Sequence, residues 1–263
     1  MKKLGILALL AITSFGLIAC SKEKESVGTE AEVTDDKGEK KTLIIGTEAG
    51  FAPYEYMEGT EVVGVDMDIC QAIATAMGAE LEIRNMDFDG ALLAVQQGQI
   101  DLAAAGISIT EERQQIMDFS DYYVDSSVVI VVNTAEPAVT ESSADALKDK
   151  IVGVQQGNTA DLWVSDIEEV QPAEIRRYTK FAQAADDLKN NKIDVIVMDE
   201  LPALELVSLT EGLMIVEGDP LFVEQYAIAV KKGNQELLDQ VNEVIAQLIA
   251  DGKIDEFIAN HAK

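Results

Sequence analysis

The chain has 263 residues, 48 of them acidic and 20 basic, a formal net charge of −28 and a pI near 4.2. Phosphate backbones would repel so acidic a protein, which excludes nucleic acid as a partner. The histidine and cysteine content (His261, Cys20, Cys70) is too small for an ordinary Cys/His zinc site, and His261, near the C-terminus, is a poor place for a fixed general base. With 48% hydrophobic residues the chain reads as globular, long enough for one large domain or two of about 100–130 residues.

Residues 1–19 read as an export signal: Lys2 and Lys3 precede an apolar run that ends in Leu17-Ile18-Ala19-Cys20. That tetrapeptide resembles a bacterial lipobox, which makes Cys20 the expected lipidation site; the alternative is a plain secretory signal with an incidental cysteine. Residues 20–41 follow as a tether. From Ser21 to Lys41 there are seven acids, five lysines and no aromatics. Such a segment buries too little to fold and reaches roughly 25 Å as a coil. The chain is then anchored to a membrane, extracytoplasmic, and does not span it. Cys70, among Met67, Ile69 and Ile73, reads as a buried small hydrophobe without a disulfide partner.

From Thr42 the pattern alternates. A strand is predicted at Thr42–Thr47, a helix at Asp66–Met77 closed by Gly78, a strand at Glu80–Met86, a helix at Asp89–Gln97 closed by Gly98, and a buried strand at Leu102–Ile107. The pattern restarts with strands at Ile151–Val154, Ile175–Tyr178 and Asp194–Met198 around helices at Thr159–Glu168 and Ala182–Asn190. Short connections between strands and helices predict two mostly parallel sheets flanked by helices. Phe88–Asp101 also aligns with Phe181–Asp194 at an offset of 93: in each a Phe opens a helix and an Ile-Asp pair opens the next strand. Farther on come a β run at Tyr226–Val230, an amphipathic helix at Gln235–Ala250 and a short helix at Ile254–Ala259. This tail is long enough to return to the first unit.

In open α/β sheets ligands sit beyond the carboxyl ends of strands. This marks Glu48 to Tyr54, Ala105 to Arg113, Gln155 to Thr159, and Asp199-Glu200. Thr110 is a natural N-cap, and Arg113 sits in a first helical turn that disfavours a cation unless an anion compensates it. Arg113 is either a carboxylate clamp or a surface residue paired with one of many acids. Gln156-Gly-Asn-Thr159 is either an anion site or a plain N-cap. Asp199 is either the partner of a ligand cation or the N-cap of a helix before Pro202. Phe51 and Phe88 are either walls of a pocket or core.

The motifs Gly46–Tyr56, Val63–Asp68, Met86–Gly90, Ala105–Arg113, Asp118–Tyr123, Gly153–Thr159, Met198–Glu200 and Ala250–Lys253, in this order, resemble family 3 of the bacterial extracellular solute-binding proteins, the polar amino-acid receptors of ABC importers. The resemblance covers roughly residues 42 to 260. It implies a type II periplasmic-binding-protein fold. Lobe 1 would take residues 42–124 plus 226–263 and lobe 2 residues 125–225, joined by a two-strand hinge that crosses near Tyr123 to Ser126 and returns near Glu224 to Tyr226. It further implies that Arg113 holds the ligand carboxylate with Ser108, Asn158 and Thr159. Asp199 would hold the ammonium with the carbonyl of Ala105 or Gly106 and the Ser108 hydroxyl, while Phe51 and Phe88 flank the side chain. Glu48, often Asp in the family, and Gln155, in some relatives Lys, bear on ligand choice. If Glu48 has no balancing cation, a Lys, Arg or His ligand is favoured, glutamine stays possible and an acidic ligand is disfavoured. The implied partners are a free amino acid, a permease with its ATPase, and the membrane through Cys20. A monomer without cofactor or metal is expected. An enzyme resembling cyclohexadienyl dehydratases, or a sensor acting in trans, are the competing classes.

Overall fold

The computed structural model describes residues 41–166 and 168–262. The export signal, Cys20 and the tether before Lys41 lie outside the described residues. The first part of the chain runs β1 (Thr42–Thr47), β2 (Gly50–Phe51), β3 (Glu55–Glu58), β4 (Glu61–Val63), α1 (Val65–Ala76), β5 (Glu80–Asn85), α2 (Phe88–Gln97), β6 (Leu102–Ala103), α3 (Glu111–Ile116) and β7 (Met117–Phe119). A long strand, β8 (Val124–Asn133), leads into β9 (Ile151–Gln155), α4 (Thr159–Val164), β10 (Glu174–Tyr178), α5 (Phe181–Lys189), β11 (Val195–Asp199), α6 (Glu200–Leu209), β12 (Leu213–Ile215) and β13 (Phe222–Tyr226). The chain ends with β14 (Ala229–Lys231), α7 (Gln235–Ala250) and α8 (Lys253–His261).

Two sheets carry the fold. One has the order β5-β1-β6-β14-β7; the other runs β10-β9-β11-β8-β12, with β13 also on β8. Each is parallel except for one reversed strand, β14 in the first and β8 in the second. Those reversed strands adjoin the two crossings between sheets. β8 and β13 pair antiparallel from Val124↔Tyr226 to Val128↔Phe222, and this ladder is the two-strand connection. β2, β3 and β4 form a separate small sheet.

The residues explain the layers. Along β8, Val128, Ile130 and Val132 enter one apolar cluster while Val129 and Val131 enter another; along β11, Val195 and Val197 alternate with Ile196 and Met198 in the same way. This two-residue period, with every position buried, is what a strand covered on both faces requires. The predicted tail does return: β14 pairs with β6 and β7, and α7 buries Leu237, Leu238, Val241 and Ile245 against the first unit.

The internal repeat is structural. In both units the Asp of the Ile-Asp pair is tied twice to the first strand. The Ile44 amide donates to Asp101 at 2.8 Å and that of Ile151 to Asp194 at 2.7 Å, while the Asp amides donate back to the Ile44 and Ile151 carbonyls. Arg84 and Arg176 repeat as well, each bonded to the Glu two residues earlier and to a carbonyl before the Ile-Asp pair, that of Gln99 or Lys192.

Three expected elements differ. The strand predicted at Leu102–Ile107 keeps its ladder only over Leu102–Ala103, because Gly106 takes a left-handed φ of 53° and turns the chain into the cleft. α4 stops at Val164 instead of Glu168. The run Tyr226–Val230 splits into β13 and β14, since the chain there leaves β8 for β6 and β7.

Candidate functional site

The carboxyl ends of β1, β6, β9 and β11 meet between the two sheets. Arg113, in the first turn of α3, is 6% exposed. Its Nη1 donates to the Ser108 carbonyl at 2.7 Å and its Nη2 crosses to the Gly157 carbonyl at 3.0 Å. The guanidinium lies 5.5 Å over the Phe88 ring, a cation–π contact. No carboxylate among the described residues forms a salt bridge with it, so the surface-pair alternative for Arg113 does not hold. Burial pulls its pKa below the ordinary value, with Glu224 and Asp199 opposing.

Asp199 closes β11 and is 3% exposed. It stands at the N-cap of α6, yet its side chain makes no cap bond. Its Oδ1 instead accepts from Tyr226 Oη at 2.5 Å and lies 3.2 Å from Ser126 Oγ. Burial raises its pKa well above the usual carboxylate range; the neighbouring Glu224 adds to the rise, and Tyr226 and Ser126 oppose it.

Glu224 sits on β13. Its Oε2 accepts from Ser108 Oγ at 2.6 Å and Thr159 Oγ1 at 2.5 Å, so the two expected ligand hydroxyls already converge on a carboxylate. Asn158 caps α4 by accepting the Asp161 amide at 2.8 Å, which bears out the N-cap reading, while its buried Nδ2 has no partner. A cavity of about 950 Å³ opens here; Tyr54, Ser108, Ser126, Thr159 and Glu224 are part of its lining.

The Gly106 amide donates to buried Asp66 at 2.9 Å. A Cβ on Gly106 would stand 2.8 Å from the Phe51 ring, and its φ is one that side chains disfavour, so the close turn needs glycine. Ala105 is buried beside it. Phe51 stacks on Tyr54 and on Phe181, at centroid distances of 6.1 and 6.0 Å. Phe51 and Phe88 thus have different neighbours, and among the described residues no ring contact joins the two.

Glu48 is buried at 1% exposure. It accepts from Gln155 Nε2 at 3.0 Å and pairs with Lys180 Nζ at 3.2 Å. Burial raises its pKa and Lys180 draws it back. The condition of an unbalanced acid at Glu48 is therefore not met: the cation comes from Lys180, just before Phe181, and not from position 155. Sequence reasoning missed Lys180 and Glu224. A signal for Lys180 existed, since the offset of 93 that pairs Phe88 with Phe181 also pairs Asp87 with Lys180.

The chain matches the Bacterial extracellular solute-binding proteins, family 3, over residues 43–262. The chain belongs to this family. As a family 3 protein it is similar to the L-cystine-binding protein TcyJ of Escherichia coli (strain K12), 30% identical over 95% of this chain and 93% of that one. The amino acid ABC transporter substrate-binding protein AbpA from Streptococcus pneumoniae, solved bound to L-arginine, superposes with a TM-score of 0.77 at 31% identity, covering 83% of this chain and 93% of that one. An ancestral arginine-binding protein bound to glutamine gives 0.75 at 37% identity, over 83% and 96%. The two-lobe α/β architecture of this family 3 chain is shared with these solved relatives.

Proposed function

We propose that the cleft binds one free amino acid with a basic or neutral polar side chain and delivers it to an ABC importer, without turning it over. One observation carries this reading. Among the described residues, a buried cation without a carboxylate partner, Arg113, and a buried acid without a cation partner, Asp199, converge on the same cleft. Each is costly alone, and a zwitterion compensates both. Arg113 has N–H groups left for a ligand carboxylate, and Asn158 Nδ2 is an unpartnered donor in the same place. Asp199 takes the ammonium with the carbonyls of Ala105 or Gly106. Lobe 1 is taken as 42–124 plus 226–263 and lobe 2 as 125–225. Glu48, balanced by Lys180, leaves the side-chain end polar but not strongly anionic, in keeping with both glutamine and arginine in the named relatives. Cys20 would carry the lipid anchor that holds the protein at the outer face of the membrane.

Calorimetric titration of the purified chain against the twenty amino acids tests the reading. Saturable one-to-one binding of a basic or neutral polar amino acid, recovered chemically unchanged, is expected. A response to aspartate or glutamate alone, or conversion of the bound ligand, overturns it.

A further inference from the structure

Glu224 is placed as a ligand group would be. It comes from β13, one of the two crossing strands, and its Oε2 is gripped by Ser108 Oγ and Thr159 Oγ1, residues at the edges of different lobes. Its Oε1 is buried with no donor. Asp199 is a direct neighbour, with its two hydroxyl contacts both at Oδ1. Among the described residues no salt bridge joins either acid to a cation, because the Arg113 hydrogen bonds go to carbonyls. Beside them the Tyr54 hydroxyl lines the same cavity, fully buried and without a partner. Two carboxyls facing one another in a buried place need a cation or a proton between them, and a cavity adjoins them.

We infer that Glu224 is a second carboxylate of the ammonium seat, so that the ligand α-ammonium is held between Asp199 and Glu224, with the Ser108 and Thr159 hydroxyls fixing Glu224 in place. This rests on the amino-acid reading of the site. The competing role for Glu224 is structural, a peg that ties the Ser108 and Thr159 loops together.

Glu224→Gln separates the two, because an amide oxygen still accepts from both hydroxyls while the charge is lost. Binding of L-arginine, L-glutamine and the α-deaminated analogue of each is measured by titration for the wild-type chain and the variant, with thermal melting alongside. The variant is expected to bind both amino acids about ten- to hundredfold more weakly, the range of a charged hydrogen bond, with the deaminated analogues unchanged and the melting temperature kept. Equal losses for the amino acids and their analogues, no loss at all, or a loss for arginine alone overturn the inference. Failure of the wild-type chain to bind these two or any other basic or neutral polar amino acid overturns the site reading beneath it, a result distinct from the others.

Discussion

At the scale of single residues, Asp66 shows how much the site depends on groups that do not line it. Its Oδ2 accepts the Gly106 amide and its Oδ1 the Tyr123 hydroxyl at 2.6 Å, so one carboxylate positions both the turn into the cleft and the residue before β8. Burial pushes its pKa up to about 6, against the pull of Tyr123, Gly106 and Glu55. The folded state therefore holds more protons than the unfolded chain between about pH 4 and pH 6, and stability falls as pH rises through that window. Glu48, Glu55 and Asp199 are raised by burial too and act in the same sense; Asp118, lowered by its hydrogen bond to Lys232, acts in the opposite one. Asp66→Asn supplies one oxygen where two are used, so it is expected to lower stability at neutral pH. It should also flatten the pH dependence by about 3 kcal/mol between its unfolded and folded pKa values. Denaturant titrations across this range check it; an unchanged slope would mean that Asp66 titrates normally.

At the scale of elements, α4 is short, six residues opened by Asn158, and so leans on its cap. Asn158→Ala is expected to cost about 1 kcal/mol of stability, a drop of a few degrees in melting temperature. If Nδ2 meets the ligand carboxylate, affinity falls as well, read by titration of the same variant. The elements that were legible in the sequence are those with a period: α7 has the expected bounds, and the two Phe-opened helices fall within a residue of the expected start. The Ile-Asp pairs were legible as a repeat, though not as the bonds that Asp101 and Asp194 make. The strand after Leu102 was not, because its apolar run continues through Ala105 and Ile107 while the Gly106 turn has no periodic mark. Lys180 and Glu224 escaped for another reason. Their partners lie far away in the chain, and 48 acids offer no sign of which one is buried.

At the scale of the whole molecule, the two sheets are linked covalently only through the β8 and β13 crossings, and otherwise by contacts across the cleft. Among the described residues these include Glu48 with Gln155 and Lys180, Arg113 with the Gly157 carbonyl, Asp89 with Gln156 at 2.6 Å, Ser108 with Glu224, and Phe51 with Phe181. Polar contacts at a cleft are worth little each when partly exposed, so these contacts are expected to hold the lobes together only weakly until a ligand bridges them. Lys180→Ala removes the cation from Glu48 while leaving Gln155. It is expected to weaken binding of a neutral ligand such as glutamine by about two- to fivefold and to enlarge the ligand-free radius of gyration by small-angle scattering, with compaction restored at saturation. A variant that scatters and binds like the wild type would show that this pair does not hold the lobes.

The repeated unit has a further consequence. Glu48 and Gln155 stand at the same distance beyond Ile44 and Ile151, Asp87 and Lys180 both precede a helix-opening Phe, and Gly106 and Asp199 follow equivalent strands. A scaffold built twice from one plan would by itself greet a ligand identically from both sides and could not tell its head from its tail. Direction enters only where the copies have diverged, and at these three positions they differ in charge. On the proposed amino-acid reading, the cleft would take the polarity of its guest from the mismatches between two halves of the same protein.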